Sequence, residues 1–170
     1  HMDFGIALPT AADSWKVVQR AEELGFTHAW FYDTQMLSAD CFVAMGAAAV
    51  TTSRIRLGTG VLIPSNRIAP VAASALMSLN ALAPGRIDFG ISTGFTARRT
   101  MGVGPVRIAD MRRYIEQVQR LIAAINEQLW VGHVDIWTHT GMIMYRQALV
   151  LPGGLTASTA QCEAMLAGAI

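Results

Sequence analysis

A strand pattern followed by a helix pattern recurs four times in the first 122 residues, about every 30 residues. The strands are expected at 3–8, 28–33, 55–63 and 87–92, and the helices at 14–24, 40–50, 70–82 and 107–122. Strands alternating with helices at this spacing imply a parallel sheet built by right-handed crossovers. The repeat suits a (β/α) barrel of the TIM type, in which chemistry sits where the strands end. Those ends are Asp33, Gly60–Val61 and Thr93–Gly94. A closed barrel of eight units needs about 250 residues, and this chain has 170. The expectation is therefore an α/β partial barrel with about five of the eight units. Residues 1–122 would form the first four, and residues 123–170 an atypical tail.

Helix boundaries carry their own signals. Asp13 and Ser14 are good N-cap residues, and Gly25 is a typical residue just past a helix end. Pro70 suits a first helical turn, and Ala83-Pro84-Gly85 stops that helix before the next strand. Ile108, Met111, Ile115, Val118 and Ile122 fall on one helical face. Within the strands, Ile6 and Leu8, Ile55, Leu57 and Thr59, and Ile87 and Phe89 alternate with Gly5 and Ala7, Gly58 and Gly60, and Asp88 and Gly90. Alternation sends the two sets to opposite faces. The bulky set is expected to meet the helices, with the small set pointing into the barrel. An interior of small residues either leaves room for a flat ring or lets the strands coil tightly.

The tail is less regular. Between Trp130 and Tyr145 the alternation reads as a hairpin across the barrel mouth. Residues 147–151 read as a fifth strand and 157–166 as a fifth helix.

Apolar residues make up 52% and charged residues 15%, against about 45–50% and 25% in ordinary soluble domains. Either a partner subunit covers the excess, or the chain is part of something larger. A homo-oligomer is expected, since open parallel edges seek partners. A net charge of +1 gives no electrostatic argument for nucleic acid or an acidic membrane, and neither is expected as a partner. No run reads as a bilayer span. Cys41 and Cys162 have no Cys-x-x-Cys context and read as free buried thiols, as in a cytoplasmic protein.

Chemistry is expected at the strand ends. Asp33 suits either substrate orientation and proton handling or a cap on the following turn. Gly94 followed by hydroxyls, Arg98 and Arg99 suits an anion contact or a solvated loop. No phosphate-loop motif occurs, and Gly102-Val103-Gly104 does not follow a strand directly. His133 and His139 are oddly spaced for a metal pair, so no metal is expected. A nucleophile elbow is also absent.

Several of these stretches resemble the bacterial luciferase-like oxidoreductases. They are GFTHAWFYDTQML at 25–37, RIRLGTGV at 54–61 and PGRIDFGISTG at 84–94. Asp33-Thr34-Gln35 and Arg98-Arg99-Thr100-Met101-Gly102 look most like the methylenetetrahydromethanopterin reductase-like branch. The resemblance implies a barrel that uses a deazaflavin coenzyme (8-hydroxy-5-deazaflavin type) or FMN for hydride transfer or monooxygenation of a small organic substrate. It also implies a non-prolyl cis peptide at Gly60–Val61, and cofactor contacts from Ala7, Gly60, Val61, Thr93 and Gly94. Asp33 would lie on the substrate side. Many relatives carry a histidine just after the second strand, where this chain has Thr34 and Gln35. The alternative is a truncated, non-enzymatic relative that oligomerises through its open edges and binds flavin weakly or not at all.

Overall fold

Every strand of the parallel sheet begins at one end of the molecule and finishes at the other, which gathers the loops that follow them. In this computed structural model, which describes residues 2–64, 66–128, 133–137 and 142–146, the parallel strands are β1 (Gly5–Leu8), β2 (His28–Phe31), β3 (Arg56–Thr59) and β4 (Ile87–Asp88). They pair in chain order, with Ile6 opposite Ala29, Ala29 opposite Leu57, and Leu57 opposite Ile87. Ala29, Leu57 and Ile87 in this row are fully buried under the helices, as the alternation predicts. The fold is the α/β sheet of a barrel with four of its units described.

The helices are α1 (Ser14–Glu23), α2 (Cys41–Thr51), α3 (Ala69–Leu82), α4 (Phe95–Thr100) and α5 (Ile108–Gln128). None is long and apolar enough to cross a membrane among the described residues. Past the end of α1, Gly25 has φ +86° while its N–H bonds Glu22 O and the Phe26 N–H bonds Ala21 O. That left-handed turn satisfies helix carbonyls that would otherwise be orphaned. Asp13 makes no side-chain capping bond, but Asp40 does: its carboxylate accepts from the Phe42 and Val43 N–H groups at the start of α2. Arg86 closes the other end of α2 by donating to Ala49 O and Thr52 O. The short α4 occupies a stretch that reads as a loop in the sequence.

Glu22 ties the end of α1 to the start of β3. Its carboxylate accepts from the backbone N–H groups of Ser53, Arg54 and Ile55. Burial pushes the Glu22 carboxyl up, but these bonds and the Arg54 charge outweigh it and leave its pKa below the ordinary value.

The inner sheet face departs from expectation. Trp30 fills the space over the glycines, with a Cβ at Gly58 falling 2.4 Å from Trp30 Cζ3 and one at Gly5 falling 3.1 Å from Trp30 Nε1. Small side chains here accommodate the chain's own indole rather than leaving the face open. His28 stacks on Trp30 with ring centroids 6.0 Å apart. Below them, at the strand starts, Arg56 makes a two-pronged pair with Asp88 at 2.9 and 2.6 Å. Those polar groups lie at the end of the sheet associated with stability rather than chemistry.

The remaining strands, β5 (His133–Trp137) and β6 (Met142–Arg146), are antiparallel to each other. They do not cross a barrel mouth: β6 runs antiparallel beside β4, giving the order β1-β2-β3-β4-β6-β5. The free edge of β4 presents unpaired N–H and C=O groups, and a neighbouring strand satisfies them. Both segments of the expected fifth unit, and Cys162, lie outside the described residues.

Two outcomes follow from these contacts. Gly58→Ala is expected to lower stability by about 1–3 kcal/mol through overpacking against the indole, and Trp30→Leu in the same chain to recover part of that loss in urea melts. Glu22→Gln should flatten acid sensitivity. With its folded pKa depressed, the carboxylate's contribution is present above the ordinary value of 4.5 and lost as pH falls through the folded value. Melting temperatures measured between about pH 6 and pH 3 should therefore fall less steeply in the variant than in the parent.

Candidate functional site

Three segments converge where β2, β3 and β4 end. Residues 33–34, 60–63 and 92–97 enclose a concavity of about 230 Å³, lined by Asp33, Thr34, Gly60, Val61, Ile63, Ser92, Gly94, Phe95, Thr96 and Ala97. Backbone pairing continues past the strands to hold these segments. The Gly60 N–H bonds Phe31 O at 2.8 Å, the Leu62 N–H bonds Gly90 O at 2.8 Å, and the Ser92 N–H bonds Leu62 O at 3.1 Å. The peptide joining Gly60 to Val61 is cis.

Two glycines are required by their surroundings. A Cβ at Gly90 would sit 2.3 Å from Thr59 O, a backbone atom that cannot swing away. Thr59 reinforces this approach, since its hydroxyl donates to Gly90 O and accepts from the Gly90 N–H. Gly94 has φ +74°, and a Cβ there would fall 2.4 Å from Ile63 Cγ2. The turn at Gly94 thus packs directly on the segment after β3 and starts α4.

Asp33 is placed differently from a substrate-facing acid. Its side chain is 0% exposed. Arg67 Nη1 lies 2.7 and 2.8 Å from its two oxygens, Gln35 Nε2 donates to Oδ1 at 2.6 Å, and the Ile63 N–H makes a long bond of 3.4 Å to Oδ2. The residue follows Ala29 and Phe31 in alternation, so it turns toward the helix layer rather than the barrel. The carboxylate has no exposed face in this structure and is taken up by Arg67, Gln35 and the Ile63 N–H, while Asp33 borders the concavity. It does not cap α2, which Asp40 does.

Arg67 extends the arrangement. Its Nη2 reaches Asp40 Oδ2 at 2.5 Å, its guanidinium lies 4.9 Å from the centre of the Phe42 ring, and its carbonyl accepts from the Tyr114 hydroxyl at 2.9 Å. Burial disfavours the Arg67 charge, yet Asp33 and Asp40 together raise its pKa. Burial likewise raises the Asp40 carboxyl, and the Arg67 bond and charge, with the α2 N–H groups, bring it below the usual range. Burial pushes the Tyr114 phenol up to about 12. The Cys41 thiol, fully buried, is pushed up by burial first and then by the Asp33 charge, which keeps it protonated and unreactive.

Of the residues expected at the site, Gly60, Val61 and Gly94 come together in the concavity. Thr93 stands beside it, with its carbonyl accepting the Val106 N–H at 2.9 Å. Ala7 lies on β1, away from the lining. Arg67 and Trp30 went unrecognised in the sequence. A lone arginine just ahead of a helix-starting proline was the available signal for Arg67; nothing marked Trp30 as the filler over Gly58.

Residues 4–153 match the model of the luciferase-like monooxygenase family. The F420-dependent glucose-6-phosphate dehydrogenase of Beutenbergia cavernae is 37% identical over 91 residues, covering 52% of this chain and 26% of that protein. The 5,10-methylenetetrahydromethanopterin reductase of Methanolobus tindarius is 33% identical over 96 residues, covering 55% of this chain and 29% of the relative. Among solved structures, the coenzyme F420 dependent tetrahydromethanopterin reductase from Methanopyrus kandleri superposes with a TM-score of 0.61 at 26% identity, covering 71% of this chain and 40% of that one. The matched parts thus span 26%, 29% and 40% of these proteins' lengths.

Gly94→Ala is expected to destabilise the chain by about 1–2 kcal/mol from the left-handed backbone alone, with the contact to Ile63 adding to it. Denaturant midpoints check this, and Gly104→Ala, where an added Cβ meets open space, is the control.

Proposed function

The chain belongs to the luciferase-like monooxygenase family, and from that premise we propose that its strand ends form the ring-side wall of a coenzyme site. The coenzyme would be a reduced deazaflavin or FMN, used for hydride transfer or monooxygenation of a small organic substrate. The observation that carries this reading is the concavity between Gly60–Val61 and Gly94. Gly60 and Gly94 contribute backbone without a side chain to its walls, and an added Cβ at either would collide with Trp30 or Ile63. That is a surface a planar ring can approach closely. Val61, Ile63 and Phe95 offer apolar contact, while Thr34, Ser92 and Thr96 bring hydroxyls for ring heteroatoms.

A volume of about 230 Å³ suits part of a ring system and leaves the rest of a coenzyme outside this wall. When bound, the coenzyme supplies the hydride; the protein orients it and excludes competing reactions. Thr93 and Gly94 would hold one edge and Gly60 and Val61 the face, with Ala7 contacting whatever extends toward β1. Asp33 supports the wall from behind. The F420-dependent relatives favour the deazaflavin over FMN.

A second reading has its own observation. The outer edge of β1 has no strand partner among the described residues, and Phe4, Val17 and Leu24 beside it are 56%, 53% and 61% exposed. Such an edge supports self-association of a chain that binds no coenzyme.

Titration with coenzyme F420 and, separately, FMN, followed by fluorescence with light scattering alongside, tests both. Saturable binding with a Kd of about 1–100 μM is expected, tighter for F420. No binding to either would sink the coenzyme reading. A monodisperse monomer would count against the second.

A further inference from the structure

We propose that Arg67 is a positioning residue for the concavity, acting through Asp33 and not on any ligand. The side chain of Arg67 is 12% exposed, and it is absent from the lining of the site. It nevertheless joins four parts of the fold. Its guanidinium bonds Asp33 at the end of β2 and Asp40 at the cap of α2, lies against Phe42, and precedes α3; its carbonyl is held by Tyr114 of α5.

The link to the site runs through two contacts. Asp33 accepts the Ile63 N–H, and Ile63 packs against the Gly94 turn. Arg67 therefore sets Asp33, Asp33 sets Ile63, and Ile63 sets Gly94. One guanidinium thus adds a side-chain tie behind the backbone bonds that link the three wall segments. Stability alone does not account for the arrangement. A buried ion pair contributes little net stability over an apolar replacement of the same volume, whereas its geometry is specific. Arginine is suited to this place because its planar fork reaches two carboxylates in different directions at once; lysine offers a point charge.

The inference rests on the coenzyme reading only for what fills the concavity, and its test separates the two. Arg67→Lys keeps a charge beside Asp33 but cannot span to Asp40. Asp40→Asn leaves the α2 cap in place, since asparagine caps as well as aspartate, and removes the outer anchor. For the intact chain and both variants, amide exchange at Ile63, the denaturant midpoint, and affinity for F420 and FMN are measured.

In Arg67→Lys, Ile63 exchange about tenfold faster and coenzyme binding about tenfold weaker are expected while the chain stays folded. Asp40→Asn should shift both in the same direction by less. A merely structural role would instead speed exchange at core amides such as Leu57 as much as at Ile63, in step with the midpoint, and leave affinity at the parent value in the folded variants; that outcome also overturns the proposal. Exchange at Ile63 within about twofold of the parent in both variants would overturn the proposal. If Arg67→Lys does not fold, Asp40→Asn decides by the same criterion, and failure of both to fold would also overturn it, making the cluster a stability element. If the parent binds neither coenzyme, the functional reading falls while the exchange result still judges Arg67.

Discussion

A single guanidinium shared between two carboxylates holds the loop-bearing end of this molecule together. Arg67 meets Asp33 and Asp40, and through them the end of β2, the start of α2 and the approach to α3 become one unit. Backbone bonds from Gly60, Leu62 and Ser92 link the segments at the strand ends, and side chains add to that placement. Here that work is concentrated in a few buried polar groups whose bonds are all made; among the described residues, no buried side-chain nitrogen or oxygen lacks a partner. The concavity lies between segments that are tied to one another by backbone bonds and backed by these polar groups.

The inner sheet face shows the complementary device. Glycines at 5 and 58 remove side chains, and Trp30 occupies the space they release. One large ring from β2 thus serves several strands, with the Arg56–Asp88 pair sealing the layer below. Above it, Gly60 meets the Trp30 Cβ on one side and borders the concavity on the other. The indole therefore backs one wall of the concavity, and the glycine pattern has two roles along one strand.

Much of the fold was legible. The repeat of strand and helix, Pro70 at a helix start and Gly25 past a helix end all state local preferences that the structure keeps. The observed strands are shorter than expected because the ladder narrows to single bonds beyond Thr59 and Asp88. The convergence at the candidate site was legible: Gly60, Val61 and Gly94 stand at strand ends that a parallel sheet must bring together. The setting of the Asp33 carboxylate was not legible, because position in the chain says where the backbone goes, while the carboxylate's direction depends on Arg67, thirty-four residues away. The antiparallel pair after α5 was misplaced for a similar reason, since its alternation does not say which edge it will join.

The amino-acid sequence by itself determined that four strands lie parallel, which faces their apolar residues cover, and at which end their loops gather. Those properties follow from periodicity, chirality and caps, which act over a few residues. Only the tertiary structure decided that Trp30 rather than open space lies over Gly58, that Asp33 turns inward to Arg67, and that β6 joins β4. Each is a contact between residues distant in the chain. Such contacts are chosen by competition among partners for limited space and unsatisfied hydrogen bonds, and that competition is settled only when all the elements are packed.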